Sequence, residues 1–199
     1  LGDVLANETF KEHDQLVRSH LEAGGGTDIK GLGDGFMALF SSASQAIETA
    51  VSIQRAIEAH NGANPQSATS VRVGLNSGDV THRDGEAHGT AVHAAARVAA
   101  KAQGGQILVS QIVSDLAGSL GKTKVVDRGL FWLKGFPDRW RLYEVLWREK
   151  EDVGDRPSRA VKEESAAAFD PATPRSEGPI VGRTKELRVI AEQLDAVPG

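Results

Sequence analysis

Apolar positions along the chain recur in two alternating periods, one helical and one strand-like, and the alternation outlines the fold. Residues 3–23 carry Val4, Leu5, Phe10, Leu16, Val17 and Leu21 among charged neighbours, which is amphipathic helical spacing, and Gly24, Gly25 and Gly26 stop it. Apolar runs then flank Gly33, Asp34 and Gly35, and an Asp-Gly step between two such runs predicts a hairpin. Ser41 and Ser42 can cap a second helix, since a serine oxygen accepts from a first-turn N–H. Its Ala43, Ala46, Ile47, Ala50, Val51, Gln54 and Ile57 repeat at three- and four-residue spacing as far as His60.

Residues 71–75 alternate as a strand does, and residues 76–79 turn the chain. Residues 81–88 are polar and contain glycine, so they read as a loop or an irregular hairpin tip. Residues 90–103 are alanine-rich and end at Gly104 and Gly105, a helix with a glycine stop and a small face that can lie close to a sheet. A strand at 106–109, a helix at 111–116 and strands at 124–128 and 141–147 follow. Helices interleaved with adjacent strand pairs predict an α+β fold, with helices packed on a mainly antiparallel sheet.

Residues 1–148 form the expected domain. From 149 to 178 the chain turns to charged, Ala, Pro and Ser residues, the composition of a linker. Residues 179–199 regain helical spacing at Leu187, Ile190, Ala191 and Leu194, so a further domain is expected to begin there.

Composition narrows the chemistry. The 199 residues suffice for one core and part of another. The absence of cysteine excludes disulfides, thiolate zinc sites and cysteine nucleophiles. A net charge of −4 and a pI near 5.9 give no bulk attraction to nucleic acid or anionic membrane. No apolar run approaches the roughly 18 residues of a membrane span, and the opening residues lack a signal-peptide pattern, so a cytoplasmic protein is expected.

Several tempting motifs fail. Gly121, Lys122 and Thr123 end like a phosphate-binding loop, but Leu116 stands where its first glycine belongs. Gly74, Ser77 and Gly78 are out of register for a nucleophile elbow. The six histidines show no metalloprotease spacing and are expected to be mostly solvated. Arg128, Lys134, Arg139, Arg141, Arg148 and Lys150 read as a solvated strand face or linker edge. Asp34, between two glycines that let a ligand approach the backbone, is either a metal ligand or the tip of an ordinary hairpin.

Four segments bear on the choice between those readings. Lys30, Gly33, Asp34 and Gly35 come first, residues 71–80 (VRVGLNSGDV) second, residues 89–98 (GTAVHAAARV) third, and Leu133, Lys134, Gly135 and Phe136, before residues 142–145 (LYEV), fourth. In this order they resemble the class III adenylyl and guanylyl cyclase catalytic domain, over about residues 5–147. The resemblance implies a ferredoxin-like cyclase sandwich that converts ATP to 3′,5′-cyclic AMP and pyrophosphate by two-metal catalysis, with Mg²⁺ or Mn²⁺, at a head-to-tail homodimer interface.

By the same resemblance, Asp34 is one of two metal aspartates and Lys30 reads the purine edge. Arg97 stabilises the transition state, and otherwise it would be an exposed helix arginine. His93 stands where the family places a ribose-orienting asparagine, and Glu86 where adenylyl cyclases carry an aspartate that accepts from the adenine amino group. Phe136 stands where some relatives have a second lysine. The other metal aspartate belongs to an opening Phe-x-Asp-Ile strand that this sequence lacks, so a domain truncated at its N-terminus is expected. Residues 178–187 (GPIVGRTKEL) resemble the entry segment of AAA-like signalling ATPases, which implies a C-terminal ATPase-like module as partner in the same protein. The alternative is a catalytically degenerate cyclase homology domain, a nucleotide-binding or dimerising regulatory module, a reading that His93, Glu86 and the missing strand favour.

Overall fold

Val17 and Leu21, one helical turn apart, bury one face of helix α1 (Gly2–Ala23) against helix α2 (Ala43–Ala63). The computed structural model describes residues 2–32, 35–83, 86–118, 124–148 and 184–191. Between the two helices, β1 (Thr27–Leu32) and β2 (Gly35–Phe40) pair antiparallel, with Lys30 opposite Met37. Ser42 sits in extended conformation with its Oγ 3.5 Å from the Gln45 N–H, so the predicted cap starts α2. The helix runs one turn past the expected end and closes at Asn64, whose backbone N–H donates to the His60 carbonyl.

After a short 3-10 turn come β3 (Ser70–Ser77), β4 (Thr81–Arg83), β5 (Glu86–His88), α3 (Thr90–Ala99), β6 (Ile107–Ser110), α4 (Gln111–Gly118), β7 (Lys124–Trp132), β8 (Arg139–Leu146) and β9 (Thr184–Ala191). The main sheet has the order β1-β2-β9-β3-β6-β8-β7, and β4 pairs with β5 in a separate hairpin. Four of the seven strand pairings are antiparallel; the other three, β2·β9, β9·β3 and β3·β6, are parallel. The α+β class expected from the alternating pattern is the observed one.

The sheet is covered on both faces. Odd-numbered β3 residues Val71, Val73 and Leu75 join α1, α2 and α4 in the larger apolar cluster. The other face meets α3, whose Val98 packs with Leu108, Leu133 and Leu142. Gly74 sets how close α3 lies, because a Cβ there would fall 2.1 Å from the Ala99 nitrogen. The alanines therefore act as expected: a small helix face rests on bare backbone.

Two local expectations are sharpened and two need correction. Residues 81–88, read as a loop or an irregular hairpin tip, hold the β4–β5 hairpin, whose three-residue strands are too short for alternation to show. Residues 184–191, read as helical from Leu187, Ile190 and Ala191, form β9 between β2 and β3. A short apolar run serves either structure, and a strand there gives the inner edges of β2 and β3 a backbone partner. His13 is buried, its ring edge-on to His60 at 4.6 Å, because α1 and α2 close over that face. Arg128 is not a solvated strand cation: its Nε donates to Glu144 Oε2 at 2.7 Å, and Glu144 is only 2% exposed. Gln106 Nε2 donates to the same oxygen at 2.9 Å, so this buried carboxylate has several donors.

Candidate functional site

The β1–β2 ladder and the β4–β5 hairpin bring Lys30 and Glu86 together. Lys30 Nζ lies 3.4 Å from Glu86 Oε1, with the lysine side chain 29% exposed and the glutamate 62%. An ammonium offers three donors and a carboxylate only acceptors, so the pair presents a donor beside an acceptor at an accessible surface. The sequence reading of residues 81–88 missed a third member. His88 shares the strand face of Glu86, two residues on, and its Nε2 lies 3.9 Å from Glu86 Oε2. The period-2 signal existed, but it becomes visible only once the segment is known to be a strand.

Helix α3 starts one residue after β5. Gly89 caps it at φ +142°, and a Cβ there would lie 2.9 Å from the Asp79 carbonyl oxygen, so the corner needs glycine. His93 and Arg97, one turn apart, are exposed, while Ala94, Ala95, Val98 and Ala99 are buried against the sheet. The structure thus places the two predicted catalytic residues on the solvent side of one helix, joined through Gly89 to the strand carrying Glu86. Asn76 anchors the underside, its Nδ2 donating to the Ala91 carbonyl at 3.2 Å.

Asp34, the predicted metal ligand, lies outside the described residues. Among the described residues no three His, Asp or Glu side chains gather into a metal-binding group. No described helix is long and apolar enough to cross a membrane.

A family model described as the adenylate and guanylate cyclase catalytic domain matches residues 4–146. The chain belongs to this family. A Rhizobium meliloti (strain 1021) protein named "Putative adenylate cyclase 3" is 30% identical to this cyclase-family chain over 138 residues, 69% of the chain and 23% of that protein. A Podospora anserina protein named adenylate cyclase is 32% identical over 125 residues, 51% of the chain and 6% of that protein. The chain thus spans less than a quarter of either relative.

Among solved structures, an adenylate/guanylate cyclase/hydrolase from Silicibacter pomeroyi aligns with TM-score 0.59 and 27% identity, covering 73% of this chain and 86% of that one. The guanylyl cyclase Cya2 shares the fold at TM-score 0.60 and 20% identity, covering 73% of this chain and 82% of that one. The fold accommodates proteins named for either purine, so the choice of purine has to be argued from side chains.

Proposed function

We propose that this cyclase domain converts ATP to 3′,5′-cyclic AMP and pyrophosphate at an interface between two copies. The observation that carries this reading is the Lys30–Glu86 pair. Adenine presents a ring-nitrogen acceptor, N1, beside an amino donor, and a lysine donor beside a glutamate acceptor complements that edge. Glutamate's extra methylene extends the acceptor's reach without changing its chemistry.

In the reaction the ribose 3′ oxygen attacks the α-phosphorus, the bond to the pyrophosphate oxygen breaks, and the 3′-hydroxyl proton is released. Arg97, permanently charged and carried on a rigid helix, would bind the equatorial oxygens as charge gathers on them. His93, one turn earlier, can hydrogen-bond the ribose in place of the family's asparagine and orient the attacking oxygen. Mg²⁺ or Mn²⁺, when bound with Asp34 among its ligands, would neutralise the triphosphate and acidify the 3′-hydroxyl. The exposed placement of His93 and Arg97 supports a site closed by a second copy, which in a two-fold dimer gives two equivalent sites.

Assaying the full-length protein for cyclic AMP and cyclic GMP with Mn²⁺, beside its Asp34→Ala and Arg97→Ala variants, tests this reading. Cyclic AMP formed by the parent and lost in both variants is the expected result. Nucleotide binding without product would instead favour the regulatory module, which the replacement of asparagine by His93 supports.

A further inference from the structure

Glu86 has a second basic neighbour, which adenine recognition by Lys30 and Glu86 leaves unused. Lys30 faces Oε1 at 3.4 Å, whereas His88 faces Oε2 at 3.9 Å. Each carboxylate oxygen thus has its own basic group. A purine seated against this pair draws Lys30 toward N1 and away from Oε1. His88, on the same face of β5, stays beside the other oxygen. An imidazolium there fixes the rotation of the carboxylate, leaving Oε1 aimed at the purine edge as an acceptor.

Arg83 is the register partner of Glu86 across the β4–β5 hairpin. Beside Glu86 and His88, the elements against β5 carry Asp28 and Lys30 on β1, His82 and Arg83 on β4, and His93 and Arg97 on α3; Asp79 precedes β4 and β2 carries no ionisable side chain. Of the ion pairs resolved for Glu86, the two partners are Lys30 and His88.

We infer that His88 is a positioning residue for Glu86, and that its protonated form sharpens selection of a 6-aminopurine nucleotide over one lacking the amino group. This rests on the adenine reading of the Lys30–Glu86 pair. The test measures dissociation constants of the chain for ATP and for purine riboside triphosphate, which differ only in the amino group, with Mg²⁺ at pH 6 and pH 8. The parent, His88→Phe and His88→Lys are compared, with thermal melts to show that each folds. Triphosphate titration is common to both nucleotides and cancels in the ratio.

The parent is expected to prefer ATP, and more strongly at pH 6 by about two- to five-fold, the scale of an exposed ion pair. His88→Phe loses that pH dependence, and His88→Lys keeps the stronger preference at both values. An unchanged pH-dependent preference in His88→Phe overturns the role of His88 alone. A parent that binds the two nucleotides equally, or binds neither, overturns the adenine reading itself and the inference with it.

Discussion

Lys30 and Glu86, on separate strand pairs, meet at 3.4 Å with the ammonium facing one carboxylate oxygen. Their chemistry is directional, so exchanging them is more informative than deleting either. Lys30→Ala is expected to lower kcat/KM for ATP about 10- to 100-fold, the range for a hydrogen bond to a charged group. The double variant Lys30→Glu, Glu86→Lys restores an ion pair yet puts an acceptor where adenine N1 needs a donor. It should melt like the parent and stay defective with ATP, and recovered ATP turnover would refute the assignment.

Arg97 lies on the exposed face of α3 and contributes no core packing. Arg97→Ala should leave the melting temperature within the small range of surface changes. Its kcat should fall about 10²- to 10³-fold, as when a transition-state donor is lost. Arg97→Lys keeps the charge without the planar fork and should recover only part of the rate, which steady-state kinetics in the full-length protein would measure.

The buried carboxylate of Glu144 accepts from Arg128 and Gln106. Removing the carboxylate alone, in Glu144→Ala, leaves the part-buried Arg128 guanidinium without this acceptor and should cost about 2–4 kcal/mol in urea unfolding. An apolar double replacement, Arg128→Met with Glu144→Leu, should recover most of that loss. A single variant as stable as the parent would show the pair to be dispensable.

Asp127 sets a pH window. The Gly129 N–H and the Arg141 guanidinium hold its carboxyl below the usual aspartate range, the backbone bond contributing most, while partial burial opposes them. A folded-state pKa below the unfolded value gives stability that is full above the unfolded pKa and lost as pH falls through the folded one. The urea midpoint of the parent should therefore exceed that of Asp127→Asn by a constant margin above pH 5. The margin should shrink as pH falls below about 4, the ordinary aspartate value.

Strand β9 lies between β2 and β3 in the middle of the sheet. Ending the chain at residue 183 would leave the inner edges of β2 and β3 without that ladder. The shortened protein is expected to lose cooperative unfolding or to associate through the exposed edges, as calorimetry and sedimentation would report. A monomer with an unchanged melting temperature would show that β9 adds nothing to the sheet.

How much of this was legible in the sequence depended on the length of each element. Helices α1 and α2 and strand β3 show enough periods and clear stops, and Ser42 marks the start of α2. The β4–β5 hairpin is too short to alternate visibly, so the company His88 keeps with Glu86 stayed hidden although both residues were in plain view. Leu187, Ile190 and Ala191 fit a helix and a strand equally well. The partnership of Arg128 with Glu144 joins neighbouring strands, and local sequence carries no record of cross-strand register. Lys30 and Glu86 were each singled out from motif position, but only the fold brings them into contact.

The corner at Gly89 has an evolutionary consequence. With a single residue between the strand bearing Glu86 and the helix bearing Arg97, there is no slack in which one could be re-aimed while the other stayed put. On the proposed reading, choice of base and speed of cyclisation are one inherited trait. A lineage that changes its purine by moving β5 must also accept, or repair, a displaced arginine.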